Sequence, residues 1–200
     1  YIIDYEKNLD NRNFFFKKDS YFIEKNNVCF LIGFPRSGTT LLDTILRSHP
    51  DIDVIEEKPI INSLERIIKT QLKCKLSEIH KLTEPEVERL RKYYLENILK
   101  LSDKKNARII IDKFPFQTVS LPLINFIFPE AKIIFAHRHP YDTVLSCFQQ
   151  CFEPNNAMAN LRSLRESSEI YDLSMKMWVR YEENLNLNFI MSKYESLIDN

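Results

Sequence analysis

The sequence predicts a three-layer α/β fold, in which a mostly parallel central sheet is flanked by helices. Short, continuously apolar runs of strand length alternate with longer amphipathic stretches, which is the pattern of parallel strands joined by helical crossovers. The chain has 200 residues, of which 44% are hydrophobic and 28% charged, as expected for one soluble globular domain. Ligands of such folds bind at the carboxyl ends of the strands, so the loops that follow the strands are the first candidates for function.

The first strand and the first helix are separated by a short loop. Residues 28–32 are apolar throughout, which is typical of a strand buried on both faces. Residues 39–48 then place their apolar side chains on one helical face, and His49 with Pro50 ends the helix. Strand, loop and helix form the first unit of the predicted fold.

The later elements repeat this alternation. Thr83 is a predicted N-cap, with Pro85 in the first turn and Glu86 three residues on. In chain order we predict a helix over 84–101, a strand over 108–112, a helix over 117–128, a strand over 132–136, a helix over 140–152, a long helix through Tyr181 and a strand over 189–192. Residues 1–27 are interpreted as a leading segment or the remnant of a preceding module, and residues 28–200 as one domain cut short at its C-terminal end.

Both glycines of the chain, Gly33 and Gly38, lie in the loop after the first strand. At average usage, about 7%, a chain of this length carries about 14 glycines. Glycine is needed where the backbone turns tightly or is closely approached by another group. The placement of both glycines therefore directs attention to residues 29–42.

Composition and charge exclude several classes of protein. Lys plus Arg and Asp plus Glu each number 28, so the net charge is zero and nothing favours wholesale binding to nucleic acid or an anionic membrane. The longest apolar stretch, residues 121–128, is far shorter than the roughly 20 residues that span a bilayer. Cys29, Cys74, Cys147 and Cys151 lack metal-ligand spacing, so we predict neither a metal site nor a disulfide framework and favour a reduced, cytoplasmic compartment.

The loop from Gly33 to Thr40 has the features of an anion cradle. It joins a buried strand to a helix N-terminus, where unpaired N–H groups and the helix dipole favour negative charge. It is P-loop-like but lacks the lysine of G-x-x-x-x-G-K-[ST], and its basic residue is Arg36 instead. The alternative, a helix merely capped after a turn, explains neither the paired glycines nor the arginine between them.

A second segment places a cation at the end of a strand. Arg138 follows the strand predicted over 132–136, and Ser146 lies eight residues later in the next helix. That hydroxyl can point back to the same anion that the guanidinium fork holds. Taken alone, this is a weak signal, because an arginine at a strand end more often forms a surface ion pair.

Together the two segments resemble the sulfotransferase family. Residues 35–41, Pro-Arg-Ser-Gly-Thr-Thr-Leu, are similar to the family's 5′-phosphosulfate loop, and residues 138–146 are similar to its 3′-phosphate-binding segment. The resemblance covers residues 28–200 and is closest to the tyrosylprotein sulfotransferases and the bacterial sulfotransferases fused to tetratricopeptide repeats. Gln150 stands where the tyrosylprotein sulfotransferases have a further arginine.

The resemblance implies a donor, 3′-phosphoadenosine 5′-phosphosulfate (PAPS), whose sulfuryl group passes to a hydroxyl or phenol acceptor by in-line displacement without a metal ion. Peptide tyrosine, a sugar and a small metabolite are all candidate acceptors. The resemblance assigns the phosphosulfate to five loop residues and the 3′-phosphate to two more, and these are Arg36, Ser37, Gly38, Thr39, Thr40, Arg138 and Ser146.

The resemblance also implies roles for three further positions. Glu57 is the expected base for the acceptor proton, with Glu56 as second choice, although both also suit solvated charges that open a helix near Pro59. Lys113 is the cation expected to stabilise the leaving oxygen, against an ordinary solvated lysine. Tyr194 is expected to contact the donor, against a packed ring at a strand end.

Two other functions remain open from the residues alone. In an ATP-dependent phosphotransferase, Asp112 at the end of an apolar strand would hold Mg²⁺, although the loop lacks the lysine expected of such enzymes. A non-catalytic nucleotide- or partner-binding module would keep the same fold.

Overall fold

The computed structural model describes residues 28–150 and 161–199. Within these ranges the strands form one five-stranded sheet in the order β2-β3-β1-β4-β5, with every neighbouring pair parallel. The elements are β1 (Val28–Gly33), α1 (Thr39–Arg47), β2 (Ile52–Glu56), α2 (Ile60–Thr70), α3 (Glu84–Leu101), β3 (Ile109–Lys113), α4 (Leu121–Ile127), β4 (Lys132–His137), α5 (Pro140–Gln149), α6 (Leu164–Asn184), β5 (Asn188–Lys193) and α7 (Tyr194–Ile198), with 3₁₀ turns over Leu76–Lys81 and Pro115–Ser120.

The sheet is covered by helices on both faces, so the predicted three-layer α/β fold is confirmed. Phe30 faces the larger core, where it packs near Tyr94 of α3 and Phe128. Leu31, the next residue, faces a smaller cluster that includes Leu42 of α1. This alternation follows from the two-residue repeat of a strand, and it explains why residues 28–32 of β1, which is buried at every position, are all apolar.

Most predicted elements are confirmed to within a few residues. The helix over 84–101 has the predicted bounds and the predicted cap, in which Glu86 Oε2 accepts the Thr83 N–H at 2.8 Å. The predicted helix over 117–128 is instead a 3₁₀ turn followed by α4, because Pro122 occupies the first turn of α4, where its missing N–H costs nothing. Residues 151 and 152 of the helix predicted over 140–152, and the segment 1–27, lie outside the described residues.

One strand, β2, was not predicted. It pairs with β3 and forms one edge of the sheet. Its sequence includes Asp53, which is buried and accepts hydrogen bonds from Ser102 Oγ at 2.7 Å and from the N–H of Asp103 at 2.9 Å. Because that carboxylate is satisfied at the end of α3, the short strand tolerates a charge in its interior.

The other edge of the sheet is anchored by aromatic packing. Trp178 of α6 stacks on Phe135 of β4, with ring centroids 3.7 Å apart, and meets Phe189 of β5 edge-on at 5.1 Å. These contacts bury the indole and fix α6 across β4 and β5. Over the described ranges, no helix is both long enough and apolar enough to cross a membrane.

Candidate active site

The loop between β1 and α1 is tightly wound. Arg36 has φ 68° and Gly38 has φ 93°, and the Ser37 N–H donates to the Phe34 carbonyl at 3.1 Å. Gly38 caps α1 without a side-chain hydrogen bond, so the first N–H groups of the helix are open to a ligand. An arginine held in the left-handed region marks this loop as strained.

Both glycines are required by close contacts. A Cβ on Gly33 would lie 2.5 Å from the Ala136 carbonyl oxygen, and a Cβ on Gly38 would lie 2.4 Å from Cδ2 of the Tyr194 ring. The first contact joins the loop to β4 and the second joins it to the end of β5. The expectation that these glycines mark a close backbone approach is confirmed.

The two segments singled out in the sequence meet in space. Arg36 Nε donates to Ser146 Oγ at 2.9 Å, across 110 positions of the chain. Beside it, the buried Cys147 thiol donates to the Pro35 carbonyl at 3.2 Å, and burial raises the pKa of that thiol to about 12. Helix α5 is therefore docked on the loop by Ser146 and by the neighbouring Cys147.

Arg138 lies on the other side of the same loop. Its guanidinium carbon is 4.6 Å from the centre of the Tyr194 ring, and this ring is the one that covers Gly38. Its Nη2 is 4.0 Å from an Asp142 oxygen, while Nε has no partner among the described residues. The Tyr194 ring thus lies between the Arg138 guanidinium and Gly38. The Arg138 Nε is a donor without a hydrogen-bond partner among the described residues.

The segment after β5 is tied to the same place. Glu195 Oε1 accepts the N–H of His139 at 2.8 Å, and this backbone hydrogen bond lowers the pKa of the Glu195 carboxyl. The bond holds the start of α7 against the end of β4. It explains how Tyr194 is brought to the loop.

Lys113 forms a separate charged centre at the end of β3. Its side chain is 1% exposed, and its Nζ donates to Glu56 Oε1 at 2.5 Å. Oxygens of Glu57 and Asp43 each lie 3.7 Å from the same nitrogen. The hydrogen bond from Lys113 lowers the pKa of the Glu56 carboxyl. A solvated lysine, the alternative considered for this position, does not describe a buried ammonium among three carboxylates.

Asp43 of α1 is a member of this centre that sequence reasoning missed. Its carboxylate is buried and is held by Arg47, whose Nε and Nη2 donate to its two oxygens at 3.0 and 3.1 Å. A signal was present, since Asp43 shares the buried face of α1 with Thr39 and Leu42. A carboxylate on a buried helical face needs a cationic partner.

Glu57 is positioned by the backbone. Its φ is 48°, and its N–H donates to the Lys113 carbonyl at 2.8 Å. This turn ends β2 and leaves the Glu57 side chain 55% exposed beside Lys113. Glu56 and Glu57 therefore both reach the same ammonium, but only Glu56 is hydrogen-bonded to it.

Asp112 does not lie where a Mg²⁺ ligand for the loop would be. It pairs across the sheet with Phe30, whereas Lys113 pairs with Leu31, so the two side chains emerge on opposite faces. The Asp112 carboxylate is fully buried and accepts the Tyr94 hydroxyl at 2.9 Å. Burial raises its pKa to about 7. Within the described ranges, no group of three His, Cys, Asp or Glu side chains is arranged to hold a metal ion.

Comparison with known proteins agrees with this geometry. The family model described as "Sulfotransferase family" matches residues 29–200. An uncharacterised protein of Aquifex aeolicus is 36% identical over 130 residues, which are 62% of this chain and 17% of that protein. Human protein-tyrosine sulfotransferase 1 is 31% identical over 133 residues, which are 64% of this chain and 34% of that protein.

The fold has a solved counterpart. The crystal structure of a sulfotransferase from Mycobacterium avium matches 88% of this chain and 61% of its own, with a TM-score of 0.52 at 14% identity. The matches to the two curated relatives span only 17% and 34% of their lengths. Since the family model extends over nearly all of the described residues, the chain belongs to the sulfotransferase family.

Proposed function

We propose that this chain is a PAPS-dependent sulfotransferase, which transfers a sulfuryl group to a hydroxyl or phenol acceptor, protein tyrosine included among the candidates. The observation that carries the proposal is the hydrogen bond from Arg36 to Ser146. It brings together the two segments that resemble the 5′-phosphosulfate and 3′-phosphate sites. Lys113 and Glu57 stand at the carboxyl ends of the strands on the other side of the loop.

The donor end of the site would bind two anionic groups. Residues 36–40 supply the N-terminus of α1, which favours the phosphosulfate. Arg138 and Ser146 supply a guanidinium and a hydroxyl for the 3′-phosphate. Polar atoms without partners among the described residues support this assignment, namely the buried Ser37 Oγ and Arg138 Nε. The Tyr194 ring, which lies against the Arg138 guanidinium, would form one wall of this donor site.

The transfer end would act on the acceptor and on the leaving oxygen. The acceptor oxygen forms a bond to sulfur as the bond from sulfur to the donor's phosphate oxygen breaks, and the acceptor proton passes to a carboxylate. Adenosine 3′,5′-bisphosphate is the other product. The Lys113 ammonium and Arg36 would stabilise negative charge on the bridging oxygen.

Glu57 suits the role of base better than Glu56. The hydrogen bond from Lys113 stabilises the ionised form of Glu56 and lowers its pKa, which weakens it as a proton acceptor. Glu57 lies 3.7 Å from the same ammonium without a hydrogen bond to it, and its side chain is as exposed as that of Glu56, 55% against 54%. A base must reach the proton that it removes.

Calorimetric titration with adenosine 3′,5′-bisphosphate tests the donor site. We expect micromolar binding of the bisphosphate and none of 5′-AMP, because the 3′-phosphate supplies the contacts with Arg138. The Arg138→Ala variant should lose most of this binding. A matched control is Arg108→Ala, since Arg108 is 80% exposed and lies at the opposite end of β3. Preferential binding of ATP with Mg²⁺ would instead support the phosphotransferase.

An activity assay separates the enzyme from a binding module. Transfer from PAPS that persists in EDTA, together with no turnover of ATP, is expected of the sulfotransferase. Bisphosphate binding that Glu57→Ala leaves unchanged, with no transfer to any acceptor, would identify a non-catalytic module.

A further inference from the structure

A groove of about 630 Å³ runs beside the outer edge of β2. One wall is α1, which contributes residues from Thr40 at its start to Ser48 at its end. The floor is β2 from Asp53 to Glu56, and Leu101 and Asp103 close the lower end. Because β2 is an edge strand, the groove follows the rim of the sheet from the end of α3 up to its carboxyl end.

The upper end of the groove reaches the groups assigned to transfer. Thr40 belongs to the loop proposed to hold the phosphosulfate. Glu56 is hydrogen-bonded to Lys113, and Asp43 lies 3.7 Å from the same ammonium. A molecule lying in the groove would therefore present one of its groups to Glu56, which is hydrogen-bonded to Lys113. Of the residues proposed to hold the donor, Thr40 alone is among those that line the groove.

The strand edge in the groove is not suited to pairing with an extended peptide. The Glu57 N–H bonds to β3, so the alternation of a strand turns the backbone groups of Ile52, Val54 and Glu56 outward. Of these groups, the Ile52 carbonyl already accepts a hydrogen bond from Lys104 Nζ at 2.8 Å. A lysine placed across an edge is a common device against strand addition. The groove is therefore closed to a peptide strand at its lower half.

The lining suits a ligand rich in hydroxyl groups. Thr40, Thr44 and Ser48 bring hydroxyls from α1, while Lys58 and Asp103 add opposite charges. None of the described residues that line the groove is aromatic, so a phenol ring would find no stacking partner there. Alternating hydroxyls and charges match the closely spaced donors and acceptors of a polyol.

We infer that the acceptor is a saccharide, bound along this groove with one hydroxyl at its Glu56 end, next to the proposed base Glu57. The inference rests on the proposed sulfotransferase function and deepens it, since it chooses among the hydroxyl acceptors that function allows. It places the sugar between α1 and β2, away from the Arg138 side of the loop. A tyrosine-containing peptide is the competing acceptor.

The test compares acceptors and one pair of variants. Transfer of labelled sulfuryl from PAPS is measured with neutral and N-acetylated hexose oligomers, with a tyrosine peptide and with 2-naphthol. Thr44→Phe would fill the groove, and Thr70→Phe is the matched control. Both threonines are exposed on helices, and each donates to the carbonyl four residues before it, at 2.9 and 2.8 Å. Only Thr44 lines the groove.

We expect transfer to at least one saccharide, with an acceptor KM raised at least about tenfold by Thr44→Phe and unchanged by Thr70→Phe. Binding of adenosine 3′,5′-bisphosphate should be the same in all three proteins. Bisphosphate binding without transfer to any saccharide would overturn the inference, as would saccharide transfer that Thr44→Phe leaves intact. If the wild-type protein does not bind adenosine 3′,5′-bisphosphate, the proposed function itself is contradicted.

Discussion

The two charged centres at the carboxyl end of the sheet differ in how many carboxylates surround the cation. At the β4 side, Arg138 has one carboxylate contact, at 4.0 Å, and its Nε has no partner among the described residues. At the β3 side, Lys113 is 1% exposed and lies within 3.7 Å of oxygens from three carboxylates. A cation with unused donors can receive an external anion, whereas a cation already neutralised can only modulate charge that develops beside it. From this difference we expect the Arg138 centre to bind the donor and the Lys113 centre to take part in the transfer step.

Removing the arginine that joins the loop to α5 should have the largest effect. Arg36→Ala deletes the hydrogen bond to Ser146 and the guanidinium proposed to stabilise charge during transfer. We expect transfer to be abolished, with a loss in kcat/KM of about a thousandfold or more. Initial rates with PAPS measure this. Arg36→Lys, which keeps the charge without the planar fork, should recover only part of the rate, and full recovery would contradict the geometric role.

Substitution of either glutamate tests the Lys113 centre, because each change removes one carboxylate and keeps the size of the side chain. Glu57→Gln should lower kcat about 100-fold or more with little change in bisphosphate binding, because a general base contributes at least about that much. Glu56→Gln keeps an acceptor for the Lys113 ammonium and should cost less than about tenfold in kcat. Single-turnover kinetics of both variants measure the contrast. Wild-type turnover in Glu57→Gln would overturn the assignment of the base.

The Arg138 centre predicts an effect on binding and not on turnover. Arg138→Ala should weaken bisphosphate affinity about 10- to 100-fold, the value of a hydrogen-bonded charge pair. At saturating PAPS, kcat should stay close to that of the wild type. Calorimetry and saturation kinetics together measure this separation. A large fall in kcat with unchanged affinity for the bisphosphate would contradict the assignment of Arg138 to donor binding.

A separate effect, on stability, concerns Asp112, the buried carboxylate next to Lys113. Burial raises its pKa from 3.8 to about 7, so the folded state favours the protonated form. The free energy of unfolding should fall as pH rises from about 4 to about 7, by up to about 4 kcal/mol. Asp112→Asn should remove this dependence, which denaturant unfolding at several pH values measures. Parallel pH curves for wild type and variant would contradict the buried, protonated state.

The loop and its partners were predictable because their signals are local. Two glycines five positions apart, an arginine between them and a strand on one side predict a tight turn of the anion-cradle type without any knowledge of the fold. The arginine and serine of the second segment are also close in sequence. What the sequence could not indicate is that Arg36 bonds to Ser146, since that contact joins positions 110 residues apart.

The missed features depend on tertiary partners. β2 was missed because Asp53 interrupts its apolar run, and the N–H groups that satisfy that carboxylate lie about 50 residues away. Asp43 was missed because helical periodicity treats a carboxylate as a solvent-facing residue. Its burial is compensated by Arg47, one helical turn away, and by Lys113, which the sequence does not place beside it. In both cases a distant cation or backbone group decides whether a charge can be buried.

The stack of Trp178 on Phe135 gives the chain an optical probe of its own. Trp178 is the single tryptophan, so the intrinsic indole emission of this chain comes from one buried position. That position touches the strand that ends just before Arg138 and the strand that leads into Tyr194. Its emission spectrum therefore reports, without any label, whether the half of the sheet that carries the Arg138 centre is folded in each variant.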